Sequence, residues 1–381
     1  MKRINLSEWE EKYVAKKVER FDQKNQMFNR PGWDPEINGV LENWSFMGEI
    51  KEKPGYTMED LALRWASRRG TMMQFFNMSK PNPTPVSKAI MGAIKAANPN
   101  MPFAAYTPPE GIKVDVSDPQ KITEKIKKVA AWFGADLVGI CKLDKRWVYS
   151  HTYSSQPYSG VGTKLQNGES QPQEIPEEFQ CAVVMAFAQD YDIIKYFPTN
   201  IASAATSMGY SRMAVTNSTL SAFIRNLGFK AIDCSTNDVA LSIPIAMQAG
   251  LGELGRFGLL ITRKYGPNVR LSKVITDLPL VADVPVDFGV TQFCESCEIC
   301  AEMCPSQSIM YGERTTEPNN ISNVGGVLKW PVNAETCRTY WSHMNKPCTL
   351  CVGTCPYTKP NTLFHRLIRW MTDHARWGDP L

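Results

Sequence analysis

The sequence has no run approaching eighteen consecutive apolar residues, so nothing in it reads as a helix that spans a bilayer. It also lacks a strong charge of either sign. Lys and Arg number 42 against 38 Asp and Glu, a formal net charge of +4, and the basic residues are scattered, which gives no reason to expect nucleic acid as a partner. The first eleven residues, Met1 to Glu11, contain no apolar stretch and no twin arginine, so no export signal is visible. The expectation is either a cytoplasmic chain or the mature form of an exported one. An apolar fraction of 43% over 381 residues is ordinary for a globular protein and enough for one large domain or two.

Cysteine is what the chain has. Eight of its eleven fall between Phe293 and Tyr357. Cys294, Cys297, Cys300 and Cys304, followed by Pro305, form the C-x2-C-x2-C-x3-C-P pattern that wraps a thiolate loop around an iron-sulfur cube. Cys337, Cys348, Cys351 and Cys355, followed by Pro356, form an opened variant whose first cysteine is displaced. Because the fourth cysteine of such a run ligates the other cluster, the spacing predicts one 4Fe-4S cluster on Cys294, Cys297, Cys300 and Cys355. A second is expected on Cys304, Cys337, Cys348 and Cys351. Structural zinc uses two separated C-x2-C pairs, and disulfide frameworks belong to short loop-rich chains, so neither explains three evenly spaced cysteines. The remaining Cys141, Cys181 and Cys234 stand in apolar or mixed surroundings and read as buried small hydrophobes.

Upstream, residues 1–114 mix aromatics with prolines and read as a region that wraps over a larger domain, some aromatics serving also as pocket walls. Within it, 56–69 is expected to be helical with Met58, Leu61 and Trp65 on one face. A regular pattern follows in 115–285. Asp118 caps a helix opened by Pro119 and closed by Gly134, and 136–141 and 181–188 are strands. The polar stretch 150–178 is a long loop, and long loops inside a compact domain are often functional. A helix over 201–227 places Thr206, Tyr210 and Asn217 on one face, with a strand at 229–232 after it. A helix over 239–250, interrupted by Pro244, leads through a Gly-rich link into strands at 259–262 and 269–277. The link Gly250 to Gly258 resembles a dinucleotide loop only superficially, since it follows a helix and leads into a strand. The cysteine motifs occupy 286–361. The tail, 362–381, carries an amphipathic helix with Leu363, Leu367, Trp370 and Met371 on one side, expected to dock on the protein rather than on a membrane.

Two clusters alone make a ferredoxin, yet nearly three hundred residues precede them here, so a second electron-accepting centre is expected. The runs Met208-Gly-Tyr-Ser-Arg-Met, Phe223-Ile-Arg-Asn-Leu-Gly, Ala249 to Thr262, Tyr265-Gly-Pro-Asn-Val-Arg-Leu and Thr276-Asp-Leu-Pro-Leu stand in order before the two cysteine motifs. Together, over about residues 115 to 360, they resemble the corrinoid-dependent reductive dehalogenases. The resemblance implies an α+β chain: a nitroreductase-like cobalamin-binding core, an N-terminal wrapping region and a C-terminal two-cluster domain like bacterial ferredoxins. It implies a cobamide of the cobalamin or norpseudo type, two 4Fe-4S clusters that relay electrons to cobalt, and removal of halogen from a small organohalide. None of the four histidines, His151, His343, His365 and His374, stands in an Asp-x-His-x-x-Gly motif, so a cobamide here would lack that lower ligand.

Carried residue by residue, the resemblance assigns Tyr210 as proton donor, Arg270 as the cation beside it and Asn237 as a polar pocket residue. Thr206 and Trp341 become pocket walls, and Ser242 and Leu271 cobamide contacts. A phenol, with an ordinary pKa of about 10, is a reasonable acid, and a neighbouring guanidinium stabilises the phenolate left behind. Arg256 is the rival cation, and Asn237 is equally placed to cap the following helix. The resemblance further implies an external electron donor, a small integral-membrane anchor subunit and a place at the outer face of the cytoplasmic membrane, and it admits a homodimer. Two other readings compete: epoxyqueuosine reductase, which also joins cobalamin to two clusters but carries an acidic donor, and an iron-sulfur electron carrier with no corrinoid.

Overall fold

The computed structural model describes residues 2–38, 50–67, 113–153, 169–236 and 238–358, together with Leu363, His365 and Leu367. In chain order the elements that position the site are helices α1 (Leu6–Tyr13), α2 (Met58–Ser67) and α3 (Pro119–Trp132), then strands β1 (Leu137–Lys142) and β2 (Cys181–Ala188). Helix α4 (Asn200–Asn226), β3 (Ala231–Cys234), α5 (Ser242–Gln248) and β4 (Val269–Thr276) complete this part. The cysteine-bearing region adds α6 (Val290–Ser296), α7 (Ile299–Glu302), α8 (Ala334–Met344) and α9 (Leu350–Thr354).

The four strands form one antiparallel sheet in the order β1-β2-β4-β3. The continuous apolar run of β2 suits it to one of the two interior positions, and its residues Ala182 to Phe187 are wholly buried. Each such Val, Met or Phe side chain stabilises the fold by roughly 1.5–3 kcal/mol. One sheet face packs on α3 and α4 through Ile122, Ile126, Met213, Leu220 and Ile224. The other packs on α5 through Ile245 and Met247, and there Trp9, Tyr13 and Trp147 complete the core.

Local chemistry explains the boundaries. Asp118 accepts a hydrogen bond from the Lys121 amide at 3.0 Å and so caps α3. Gly134 ends that stretch at φ +120°, where a Cβ would be strained. The helix expected over 239–250 is shorter, because Pro244 falls in the first turn of α5, where no intrahelical N–H is required, rather than interrupting a longer helix. The strand expected at 259–262 reduces to Leu260–Ile261, paired with Glu253–Leu254.

The N-terminal segment is held firmly to the rest. The Lys12 ammonium reaches Glu253 at 2.7 Å and Asp287 at 3.0 Å, and the Tyr13 hydroxyl lies 2.9 Å from Thr291 Oγ1. One expectation is corrected in α2. Met58 and Trp65 are 62% and 38% exposed, and the buried face is Leu61, Arg64 and Ser67. Arg64 turns inward because its guanidinium donates to Asn200 Oδ1 at 3.2 Å, a partner that local periodicity cannot reveal. Cys141, Cys181 and Cys234 are buried, as their surroundings imply. Most of the expected tail helix lies outside the described residues. Leu363 and Leu367 are helical and exposed. No described helix is long and apolar enough to cross a membrane.

Candidate functional site

Strand alternation sorts the candidate residues. On β4, Val274 packs toward α4 while Ile275 packs toward α5, so Arg270 and Ser272 face α4, and Leu271 and Lys273 face α5. Arg270 meets two of the predicted residues at once. Its guanidinium carbon lies 5.1 Å from the centre of the Tyr210 ring, and its Nη2 donates to Thr206 Oγ1 at 3.3 Å. Thr206 and Tyr210 are one helical turn apart on α4, which is why one arginine reaches both. Arg270 Nε is buried with no protein acceptor. Gly209 makes the approach possible, since a Cβ there would stand 3.0 Å from Arg270 Cγ. The sequence signal for Gly209 is its place between a buried Thr206 turn and Tyr210, but nothing in the sequence tells that an arginine stem lies against it.

On the other face, Ser242 opens α5 and Leu271 lines β4. Between these elements lies Lys273, which sequence reasoning missed. Its ammonium is completely buried and held by the Thr236 carbonyl at 3.0 Å and Ser242 Oγ at 3.1 Å. Burial pushes its pKa below the usual lysine value. The alternation Leu271, Lys273, Ile275 places it inward, a signal that was readable. Asn237 lies outside the described residues.

Trp341 is not part of the Tyr210 group in the contacts the structure shows. It is half-buried on α8, 6.1 Å from the Phe28 ring, one turn after Cys337, and its Nε1 is buried with no protein acceptor. A cleft of about 390 Å³ flanks α4 at Ala205, Met208 and Gly209 and reaches Leu63 and Ser67 of α2. Thr206, Tyr210 and Arg270 do not line it, so it is not the site the sequence points to.

The eight clustered cysteines fall into two groups. The Cys355 thiol is pushed well up, by burial first and then by Cys294, Cys300 and Cys297. Cys300 is pushed up to about 12 by burial, then by Cys294 and Cys297. In the second group Cys337 is pushed up to about 12 by burial, then by Cys348 and Cys304. Cys351 is raised by burial, then by Cys337 and Cys348, and also feels Cys300, so the groups are adjacent. Cys304 departs from this trend. Burial works against its thiolate, but Ser306 Oγ at 3.4 Å and the Ser308 amide at 3.3 Å hold its pKa below the ordinary thiol value. Among the described residues, no three acidic, histidine or cysteine side chains close on a single point as ligands of one ion would.

Arg256, the rival for the cation beside Tyr210, sits elsewhere. Its guanidinium is buried among carbonyls of the first cysteine group, where it donates to Cys294 O at 2.6 Å from Nη2.

A sheet-and-helix core carrying the Tyr210–Arg270 pair is joined to a region that holds eight cysteines in two groups of four. The fold is shared with a solved reductive dehalogenase for which a B12-dependent mechanism has been suggested. That structure superposes with a TM-score of 0.66 at 21% identity, over 98% of this chain and 46% of the other. By sequence, the chain is 38% identical over 282 residues to the tetrachloroethene reductive dehalogenase of Sulfurospirillum multivorans, covering 70% of this chain and 56% of that protein. It is 34% identical over 284 residues to the tetrachloroethene reductive dehalogenase of Desulfitobacterium hafniense, covering 66% and 51%. An epoxyqueuosine reductase of Lactococcus garvieae matches at 31% over 129 residues, a third of this chain. No family model matches. The chain is a homologue of the reductive dehalogenases, and it spans about half the length of these curated dehalogenase relatives.

Proposed function

We propose that this protein replaces a carbon-halogen bond of a small organohalide with carbon-hydrogen, a reaction that takes two electrons and one proton and releases halide. The observation that carries the reading is the Tyr210 ring stacked against Arg270, with Thr206 bonded to the same guanidinium, inside the stretch homologous to the dehalogenases. In this reading the four-stranded sheet with its helices is the nitroreductase-like core, and 286–361 is the ferredoxin-like domain.

The donor set fits the groups the family implies. Cys294, Cys297, Cys300 and Cys355 would hold one 4Fe-4S cluster, and Cys304, Cys337, Cys348 and Cys351 the other. The orphaned Nε of Arg270 offers a donor toward a bound group, and Ser242 and Leu271 would contact a cobamide of cobalamin or norpseudo type. When bound, the cobamide supplies a cobalt centre that attacks carbon-halogen bonds, and the clusters supply single electrons. The chain's own residues manage the proton and the pocket. Tyr210 gives its hydroxyl proton to the carbon, Arg270 stabilises the phenolate left behind, and Thr206 fixes the guanidinium in register. Thr206 and Trp341 wall the pocket, with Asn237 as its polar member.

We place the mature protein at the outer face of the cytoplasmic membrane, held by a small integral-membrane subunit and fed by an external donor, with a homodimer allowed. Epoxyqueuosine reductase is the weaker reading, since the donor position holds a tyrosine rather than an acid and that match covers only a third of the chain. The test is anaerobic incubation with reduced viologen and a panel of chlorinated ethenes, alkanes and halogenated phenols, with products followed by gas chromatography. Halide release with corrinoid bands of about one equivalent per chain supports the proposal. Absent corrinoid bands after reconstitution point to the plain electron carrier.

A further inference from the structure

Arg256 stands in the Gly-rich link, in the turn of the hairpin that joins Glu253–Leu254 to Leu260–Ile261. It is completely buried, and its fork is spent on backbone carbonyls. Nε donates to Cys294 O at 3.0 Å and Cys297 O at 3.2 Å, Nη2 donates to Cys294 O at 2.6 Å, and Nη1 donates to Met310 O at 2.9 Å and Gly312 O at 3.1 Å. The guanidinium carbon lies 4.6 Å from the centre of the Trp330 ring, and Glu298 Oε1 is 3.3 Å from Nη1.

Burying a cation costs several kcal/mol even after relaxation. The five N–H donors of the fork meet at least four carbonyls, and the one carboxylate beside it, Glu298, is about a third exposed, so much of the cation's field stays inside the loop. Two of the carbonyls it grips belong to thiol residues of the first group, Cys294 and Cys297. Each electron taken up by a cluster on those thiols adds one negative charge, and a fixed cation in a low-dielectric site favours that reduced state.

We infer that Arg256 is a positioning residue that sets the reduction potential of the first cluster, raising it through its buried charge as well as holding the Cys294–Cys297 backbone in place. The inference rests on the proposed cluster assignment and is independent of the dehalogenation itself. Its test is a potentiometric titration of the reconstituted protein, followed by electron paramagnetic resonance, for the wild type, Arg256→Lys and Arg256→Gln. Arg256→Gln should lower the first cluster's reduced fraction at least tenfold at a fixed potential near its midpoint, with the second cluster unmoved. Arg256→Lys, which keeps the charge but not the fork, should stay close to the wild type. Equal shifts in the two variants, no shift in either, or loss of iron from both would overturn the inference. Should only Arg256→Gln lose its iron, an unmoved first midpoint in Arg256→Lys supports it and a tenfold loss of reduced fraction overturns it. A wild type with no cluster signal would overturn the cluster assignment, and the inference with it.

Discussion

Gly209 lies directly against the stem of Arg270, at a distance where a Cβ would stand 3.0 Å from Cγ and 3.8 Å from Cβ of the arginine. Gly in mid-helix costs about 1 kcal/mol relative to Ala, so the position sacrifices helix stability for close approach. Gly209→Ala returns that amount to α4 but pushes Arg270 away from Tyr210 and Thr206. The melting temperature should therefore change little, while turnover falls several-fold. A variant of full activity would show that the arginine's place does not matter.

The two thiol groups make separable predictions. Cys355 closes the second motif in sequence but neighbours Cys294, Cys297 and Cys300 in space. Cys355→Ser should disrupt the first cluster and leave the second, lowering iron from about eight to about four or somewhat more per chain. The resonance spectrum of the reduced variant checks which cluster survives. Loss of the second cluster with retention of the first would contradict the crossed pairing.

Lys329 gives stability a pH dependence of known sign. Burial alone pushes its pKa down to about 8 from 10.5, so between those values the unfolded chain binds a proton that the folded chain does not. Stability therefore rises as pH goes from about 8 toward 10.5, and the penalty is fully present below 8. Lys329→Met should gain roughly 1–2 kcal/mol at pH 7. That is less than the full shift implies, because the residue keeps partial contact with solvent. Urea midpoints at pH 7 and 9.5 check it, and the variant's advantage must narrow at the higher pH.

How much was legible follows from which forces are local. Strand β2 is readable because an unbroken apolar run, Cys181 to Ala188, buried on both faces has few other fates, and α3 because Asp118, Pro119 and Gly134 punctuate it. The face of α2 was not readable, since Arg64 turns inward to meet Asn200, 136 residues later. Tyr210, Thr206 and Arg270 were found through motif order, and the structure brings those three together. The same motif order assigns Trp341 to the pocket wall, and in the structure it stands beside Phe28. Arg256 was noticed as a charge, but its partners are backbone carbonyls on a loop some forty residues away, which leave no trace in side-chain pattern. Lys273 could have been read from alternation in β4, though not its hold on Ser242.

The central claim is that the Tyr210 hydroxyl supplies the proton. Tyr210→Phe keeps the ring, so the stack with Arg270 and the fold should survive, and the visible spectrum of the loaded protein should match the wild type. Halide release under reduced viologen, measured side by side on the two proteins, is predicted to fall at least about tenfold in the variant, the lower part of what a general acid contributes. Equal rates from the two proteins would contradict the account.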